Sequence, residues 1–470
     1  MKVLMVASEA APFAKTGGLA DVLGGLPPAL VRRGVDVAVV IPKYTGIRVE
    51  GAERVWENLV IWLGPYAYNT HIEQVARRGV TYYFVDCPGL YGRDGLYGDR
   101  YGDYRDNHIR FGVLSHAAIA IARRLFRPGI VHCHDWQAAL VPVFLRQYFS
   151  GDPTFHNVRT VFSIHNLGYQ GNFPPRLLAE MGLDGRVMHI DGMEFYGNVS
   201  LLKGGITSSD RLTTVSPTYA REIQHWEYGF GMDGLLRARN HVLTGILNGV
   251  DYDEWNPETD PHIPAHYSAA DMSGKRLAKK ALLEEAGLHE ADLDRPLVGV
   301  VSRFVHQKGF DLVAEIVGAL EEEDMYLVAL GSGDYEWVFR RLAAVHPDRV
   351  WAYYGYNNPL AHRIEAGADL FLMPSRYEPC GLNQIFSLRY GTVPLVRATG
   401  GLNDTVEHDV TGFKFWEYSG QALLAALNHA LGVYHDEVRW LEMVRAAMKQ
   451  DFSWNVAAAE YVKLYEELAR

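Results

Sequence analysis

The sequence predicts an α/β protein made of two doubly wound, Rossmann-like domains. Three observations predict it. Apolar runs of strand length alternate with helical patterns along almost the whole chain, the signature of repeated strand–helix units. Several of those runs are nearly continuous in Val, Ile, Leu and Phe, as in strands buried on both faces of a parallel sheet. Finally, 470 residues exceed one ordinary core, so the alternation divides into two domains, each large enough to fold without staples.

In chain order, the first half offers strands at KVLMVAS, VDVAVVIP, VTYYFVD, GIVHCHD, RTVFSIHN and RLTTVS, and the second at PLVGVVSRF, MYLVALGSG, RVWAYYGY, ADLFLMPS and TVPLVRATG. Stretches such as NHIRFGVLSHAAIAIARRLF and DLVAEIVGALEEE carry the helical period between them. The opening run KVLMV is followed at once by Glu9 and is shorter than the ~7 to 15 residues of a signal-peptide core, so it reads as a buried first strand. The rhythm breaks between 248 and 275, where NGVDYDEWNPETDPHIPAHYS is rich in Pro, Asp and aromatics and reads as a domain connection. The expected division is an N-terminal domain over 1–247, a second domain over 248–450, and a terminal helix over 451–470 ending in VAAAEYVKLYEELAR.

Composition narrows the function. Apolar residues make up 48% and charged residues 21%, as in a soluble globular protein. A net charge of -11 argues against nucleic acid or an anionic membrane as partner, so an anionic ligand must be held by local cations. Cys87, Cys133 and Cys380 lie far apart and form no CxxC pair, which argues against a disulfide framework or structural zinc and fits a reducing cytoplasm.

In open α/β sheets ligands bind beyond the carboxyl ends of the strands, where helix N-termini offer free N–H groups. Four such places carry chemistry. After the first strand, KTGGLADVLGGLPPAL holds Lys15, Thr16, Gly17 and Gly18, with Pro27 and Pro28 reading as a helix start. A phosphate-holding loop and a glycine turn with a solvated lysine are equally open readings here, since neither G-x-G-x-x-G nor G-K-S/T is present. In VSRFVHQKGFDLV, Arg303 and Lys308 flank a strand-to-helix loop with Gly309 and suit a diphosphate clamp or, alternatively, solvated loop charges. In SRYEPCGLNQIFSL, Glu378 precedes a helix opened by Gly381 and Leu382, as a sugar-hydroxyl acceptor or as an ordinary helix N-terminal acid. The fourth place is GIVHCHDWQ with VFSIHNLGYQG. His132, His134 and Asp135 could suggest a metal, but no further ligands are indicated, and His165 with Asn166 reads better as a cleft lining. Asp251-Tyr252-Asp253 has the spacing of a metal-binding acid pair, yet lies in the connecting stretch and reads as linker acids.

These motifs, KTGGLADV, HDW, IHNLGYQG, SPTYARE, ILNGVD, SRFVHQKG, EPCGLNQ and TGGLNDTV, with FSW near the end, occur in order and resemble those of bacterial glycogen synthases and plant starch synthases. The resemblance implies a GT-B fold, two Rossmann-like domains facing a deep inter-domain cleft with the last helix crossing back. It implies a retaining glucosyltransferase moving glucose from ADP-glucose to the non-reducing 4-hydroxyl of glycogen or another α-1,4-glucan, without metal or other cofactor. By that likeness Lys15, Arg303 and Lys308 hold the donor diphosphate, helped by Gly17, Gly18 and the amides of Cys380, Gly381 and Leu382. Glu378 holds the donor sugar side, Tyr356 packs on the base, and Ser302 and Asn248 line the donor site. His165, through its carbonyl, sits by the anomeric carbon, and Asp135, Trp136 and Asn166 place glucosyl or acceptor groups. Two positions depart from the pattern: Gln137 stands where many relatives have histidine, and Phe386 where the wider superfamily often has a second glutamate. UDP-glucose as donor, a sugar-nucleotide epimerase and a non-catalytic glucan binder remain as alternatives. An NAD-dependent dehydrogenase is disfavoured by the missing fingerprint after the first strand.

Overall fold

The structure, a computed structural model, describes residues 1–288 and 292–470. The chain divides into two compact units. The first comprises 1–215, 220–249 and 454–470, and the second comprises 216–219 and 250–453. Each is α/β, with a largely parallel sheet at its centre.

Unit 1 is built on a nine-stranded sheet. Across it run Leu243–Gly245, Arg211–Thr214, Arg159–Ile164, Ile130–His134, Lys2–Val6, Asp36–Pro42, Val80–Asp86, Tyr66–Arg77 and Glu53–Leu63. The first seven of these pair in parallel, and the apolar runs read from the sequence are the buried cores of six of them; the short, half-buried Leu243–Gly245 was not among those runs. The last two form an antiparallel hairpin at the edge that sequence reading did not find. Its first strand is mostly exposed or half-buried on both faces, so no strict alternation marks it.

The helix after the first strand runs Gly18–Arg32, which corrects the expected start at the prolines: Pro27 and Pro28 lie buried inside it. Packing outweighs the ladder hydrogen bonds they remove, because this helix is pressed against the terminal helix Trp454–Ala469. A Cβ on Gly25 would come within 1.9 Å of the Trp454 indole, so only glycine admits that contact. The terminal helix therefore belongs to unit 1, where Tyr461 and Tyr465 are buried.

Unit 2 carries a six-stranded parallel sheet in the order Val350–Tyr354, Tyr326–Ser332, Leu297–Arg303, Leu370–Met373, Val393–Arg397 and Phe413–Phe415. Its core is formed by Val298, Val300, Leu327, Ala329, Leu370 and Leu395 with helices on both faces. The chain passes between units at 249–250 and 453–454, and the two passages run side by side, Val250 N donating to Phe452 O at 2.9 Å. Ser216–Tyr219 groups with unit 2, where Ser216 Oγ donates to Pro379 O (2.7 Å) and Thr218 N to Asp404 (2.7 Å).

Candidate active site

Parallel pairing lines up the carboxyl ends of the strands along one edge of each sheet, and the candidate donor and acceptor residues read from the sequence lie at such an edge or in the stretch that follows it.

In unit 1, the loop after Lys2–Val6 is anchored from beneath by Glu9, which is only 3% exposed. Its carboxylate accepts from Thr16 N (2.5 Å), Thr16 Oγ1 (2.6 Å) and the Tyr97 hydroxyl. Sequence reading did not assign Glu9 a role, since one acid after an apolar run has no signature; its two bonds to Thr16 show that it shapes the Lys15 loop. Lys15 is half exposed and pairs with Asp21 at 2.6 Å. Burial pushes the Asp21 carboxyl up, against the pull of Lys15. Gly17 has an extended φ of -160°, and a Cβ there would meet nothing within 4 Å among the described residues. The packing of the described residues thus does not demand glycine at 17.

Asp135, His165 and Asn166 come together at the ends of Ile130–His134 and Arg159–Ile164. Asp135 sits in the left-handed region with φ 57°, turning its carboxylate back to accept from His165 N at 2.7 Å and from the Asn166 amide. Burial raises its pKa to about 7, although those two amides favour the charged form. His165 Nε2 shares a 3.0 Å hydrogen bond with Nδ1 of the fully buried His134. Burial lowers His165 to about 4 and holds His134 well below its ordinary value, so both rings are neutral at physiological pH. The Asn166 side chain accepts from Gly168 N (2.9 Å), which turns the following loop. Trp136, half-buried, packs edge-on to Phe111 at 5.1 Å, and Gly171 approaches its ring so closely that a Cβ would lie 2.5 Å away. Gln137 is buried and its Oε1 has no hydrogen-bond partner among the described residues, so the departure at that position turns inward. Asn248 follows Leu243–Gly245, 7% exposed, with Oδ1 likewise without a partner among the described residues.

In unit 2, Lys308 and Glu378 meet directly, Nζ to Oε2 at 2.6 Å, with Ser375 Oγ donating to the same oxygen at 3.1 Å. Glu378 is 6% exposed, so this is a largely desolvated pair. Gly309 makes it possible: it adopts φ 75°, and a Cβ would stand 1.9 Å from Pro374 O. Arg303 is exposed, its nearest side-chain partner being Gln307 Oε1 at 3.4 Å, and Ser302 Oγ donates to the Arg303 carbonyl (3.2 Å). Cys380, Gly381 and Leu382 lead into the helix Asn383–Tyr390, and Asn383 Nδ2 ties that helix to Val301 O at 2.8 Å. A support missed by sequence reading is Thr399-Gly400-Gly401. Gly401 N donates to Glu378 O (3.1 Å), and a Cβ on Gly400 would lie 1.8 Å from the same carbonyl. The motif TGGLNDTV had marked this stretch in the sequence, but only as part of the resemblance and without a role for these residues. Tyr356 follows Val350–Tyr354 and is 84% exposed, its hydroxyl donating to Asn358 at 3.3 Å.

Cation-bearing loops and amide-rich turns at the carboxyl edges of two Rossmann-like units suit a nucleoside diphosphate-sugar. Residues 2–238 match the starch synthase catalytic domain, and residues 284–443 match the glycosyl transferases of group 1. The glycogen synthase of Koribacter versatilis is 49% identical over 476 residues, covering 99% of this chain and 98% of that protein. The chain belongs to the glycogen and starch synthase family of glycosyltransferases. A second glycogen synthase, from Anaeromyxobacter dehalogenans, is 50% identical over 480 residues and covers both chains fully. The catalytic domain of starch synthase IV from Arabidopsis thaliana, solved with ADP and acarbose, superposes with a TM-score of 0.90 at 34% identity over 99% of each chain.

Of the two histidines weighed as metal ligands, His134 uses Nδ1 toward His165 and His132 uses both ring nitrogens. His132 shares Nδ1 with Tyr465 and Nε2 with Ser163, both at 2.7 Å. No group of three or more His, Cys, Asp or Glu among the described residues is disposed to hold a metal. Among those residues no helix is long and apolar enough to cross a membrane.

Proposed function

We propose that the protein transfers glucose from ADP-glucose to the non-reducing 4-hydroxyl of an α-1,4-glucan with retention of configuration, elongating glycogen in the cytoplasm. The observation that carries this reading is the grouping of Ser302, Arg303, the Lys308–Glu378 pair and the Cys380–Leu382 turn at one sheet edge. Full-length relatives named glycogen synthase, and a structural neighbour holding ADP, support the donor and acceptor classes.

As the glucosyl bond breaks, negative charge grows on the departing diphosphate and positive charge on the anomeric carbon. Lys15, Arg303, Lys308 and the turn amides stabilise the first more in the transition state than before it, which lowers the barrier. Glu378, held by Lys308 and Ser375, accepts a donor hydroxyl. Tyr356, exposed and aromatic, stacks on the base, and Ser302 and Asn248 line the donor. The His165 carbonyl faces the electron-poor carbon, its main chain fixed by Asp135, while Trp136 and Asn166 place the acceptor. A far-face nucleophile is disfavoured: the Asp135 carboxylate is spent on two amides, Glu378 on Lys308, and position 386 is phenylalanine. Front-face attack, with a leaving phosphate oxygen taking the acceptor proton, is the route these residues favour.

The test is to incubate the protein with glycogen and either ADP-glucose or UDP-glucose, without added metal, and follow nucleotide release and glucan length together. The reading expects both with ADP-glucose. Elongation with UDP-glucose alone would change the donor, and nucleotide release without elongation would remove the glucan from the reading.

A further inference from the structure

Two turns of unit 1 break the same local rule. The hairpin of Glu194–Phe195 and Asn198–Ser200 closes through Tyr196 at φ 48° and Gly197 at φ 79°. Successive positive φ angles belong to a tight hairpin turn whose first place ordinarily goes to Asn, Asp or Gly. Phe230 at φ 48° and Gly231 at φ 82° repeat the arrangement in the loop before the helix Asp233–Ala238. A bulky aromatic in the left-handed region is an outlier that persists where function uses it. Burial does not account for either ring: Tyr196 is 79% exposed and Phe230 is 39% exposed.

The two turns are neighbours. A Cβ on Gly231 would lie 3.1 Å from the rings of both Phe195 and Tyr196, and those two rings meet edge to face at 4.8 Å. Gln170 joins them to the His165–Asn166 loop: its Nε2 donates to Phe230 O (3.0 Å), and its carbonyl accepts from Ser200 Oγ (3.2 Å). That loop presents Tyr169, 59% exposed. Three segments remote in sequence therefore meet through Gln170 and Gly231, and each presents an aromatic side chain to solvent. The segments 168–173, 194–200 and 225–232 contain no lysine or arginine but carry Gln170, Asn172 and Asn198. A surface of rings and amides whose charged residues in these segments are the acids Glu194 and Glu227, with no cation, suits a neutral polymer with apolar ring faces and hydroxyl edges, and not a phosphate-bearing one.

We propose that Tyr169, Tyr196 and Phe230 form a platform for the glucose units of the acceptor chain behind the reacting end, and that this platform makes the enzyme prefer long acceptors. The proposal rests on the glucosyltransferase reading above. Tyr196→Asn and Phe230→Asn remove the rings while supplying a residue that tolerates left-handed backbone. The quantity to measure is the ratio of kcat/KM for maltoheptaose to that for maltotriose. It should fall about 5-fold for each ring removed, the worth of one aromatic contact; a ratio equal to that of the unaltered protein overturns the platform. As a second reading on the unaltered protein, maltoheptaose should slow hydrogen exchange in 194–198 and 226–232, and no protection there overturns it as well. If the unaltered protein elongates neither oligosaccharide, the transferase reading fails, while the exchange measurement still judges the platform by itself.

Discussion

Asp135 shows how one residue can tie two strand ends together. Its left-handed backbone aims the carboxylate at the amides of His165 and Asn166, and its raised pKa of about 7 places ionisation in the working range. The native state holds this proton more firmly than the unfolded chain. The group therefore favours folding at low pH, and that contribution declines as pH rises from the ordinary value of 3.8 to about 7. Activity runs the other way, because the ionised carboxylate is the better acceptor for two amides. The kcat/KM profile should show an ascending limb near pH 7 that Asp135→Asn removes; an unchanged limb in the variant assigns it to another group. HDW and IHN stood out in the sequence because they end buried strands, but the bond between them was not legible, since 30 residues separate its ends. Glu9 and His134 were missed as site supports for a related reason: each acts through a neighbour that only folding supplies.

At the scale of elements, the loops that carry cations depend on glycines with assigned work. Gly309 turns the chain at φ 75° against Pro374 so that Lys308 can reach Glu378. Gly309→Ala should cost on the order of 1 to 3 kcal/mol through backbone strain alone. It should also lower kcat, because Lys308 is displaced with it; denaturant melts and initial rates check the two effects separately, and full activity would show that the loop tolerates the shift. Strands on the parallel sheets were legible because burial on both faces makes their sequences continuously apolar. The edge hairpin Glu53–Leu63 and Tyr66–Arg77 was not, being largely solvated. The prolines of Gly18–Arg32 misled for the opposite reason: a local rule about helix starts gave way to tertiary packing.

For the whole molecule, two alternating runs and a proline-rich break were enough to indicate two Rossmann-like units. The return of the last helix is a matter of packing that Gly25, Gly249 and Trp454 record. Ending the chain at Ser453 would bare the seats of Tyr461 and Tyr465 and take the Tyr465 hydroxyl from His132. Unit 1 should then unfold first and be cut by protease before unit 2; equal loss of both units would mean that the helix serves the whole chain. The account as a whole stands on the claim that cations at the strand ends act on the departing diphosphate. Arg303 tests it most directly, being exposed and only weakly engaged within the chain, whereas removing Lys308 would leave Glu378 buried beside Ser375. The measurement is kcat for glucan elongation by Arg303→Ala at saturating ADP-glucose, with thermal unfolding as the control. A fall of about 10² to 10³ at unchanged melting temperature is the predicted result, and an unchanged kcat would contradict the account.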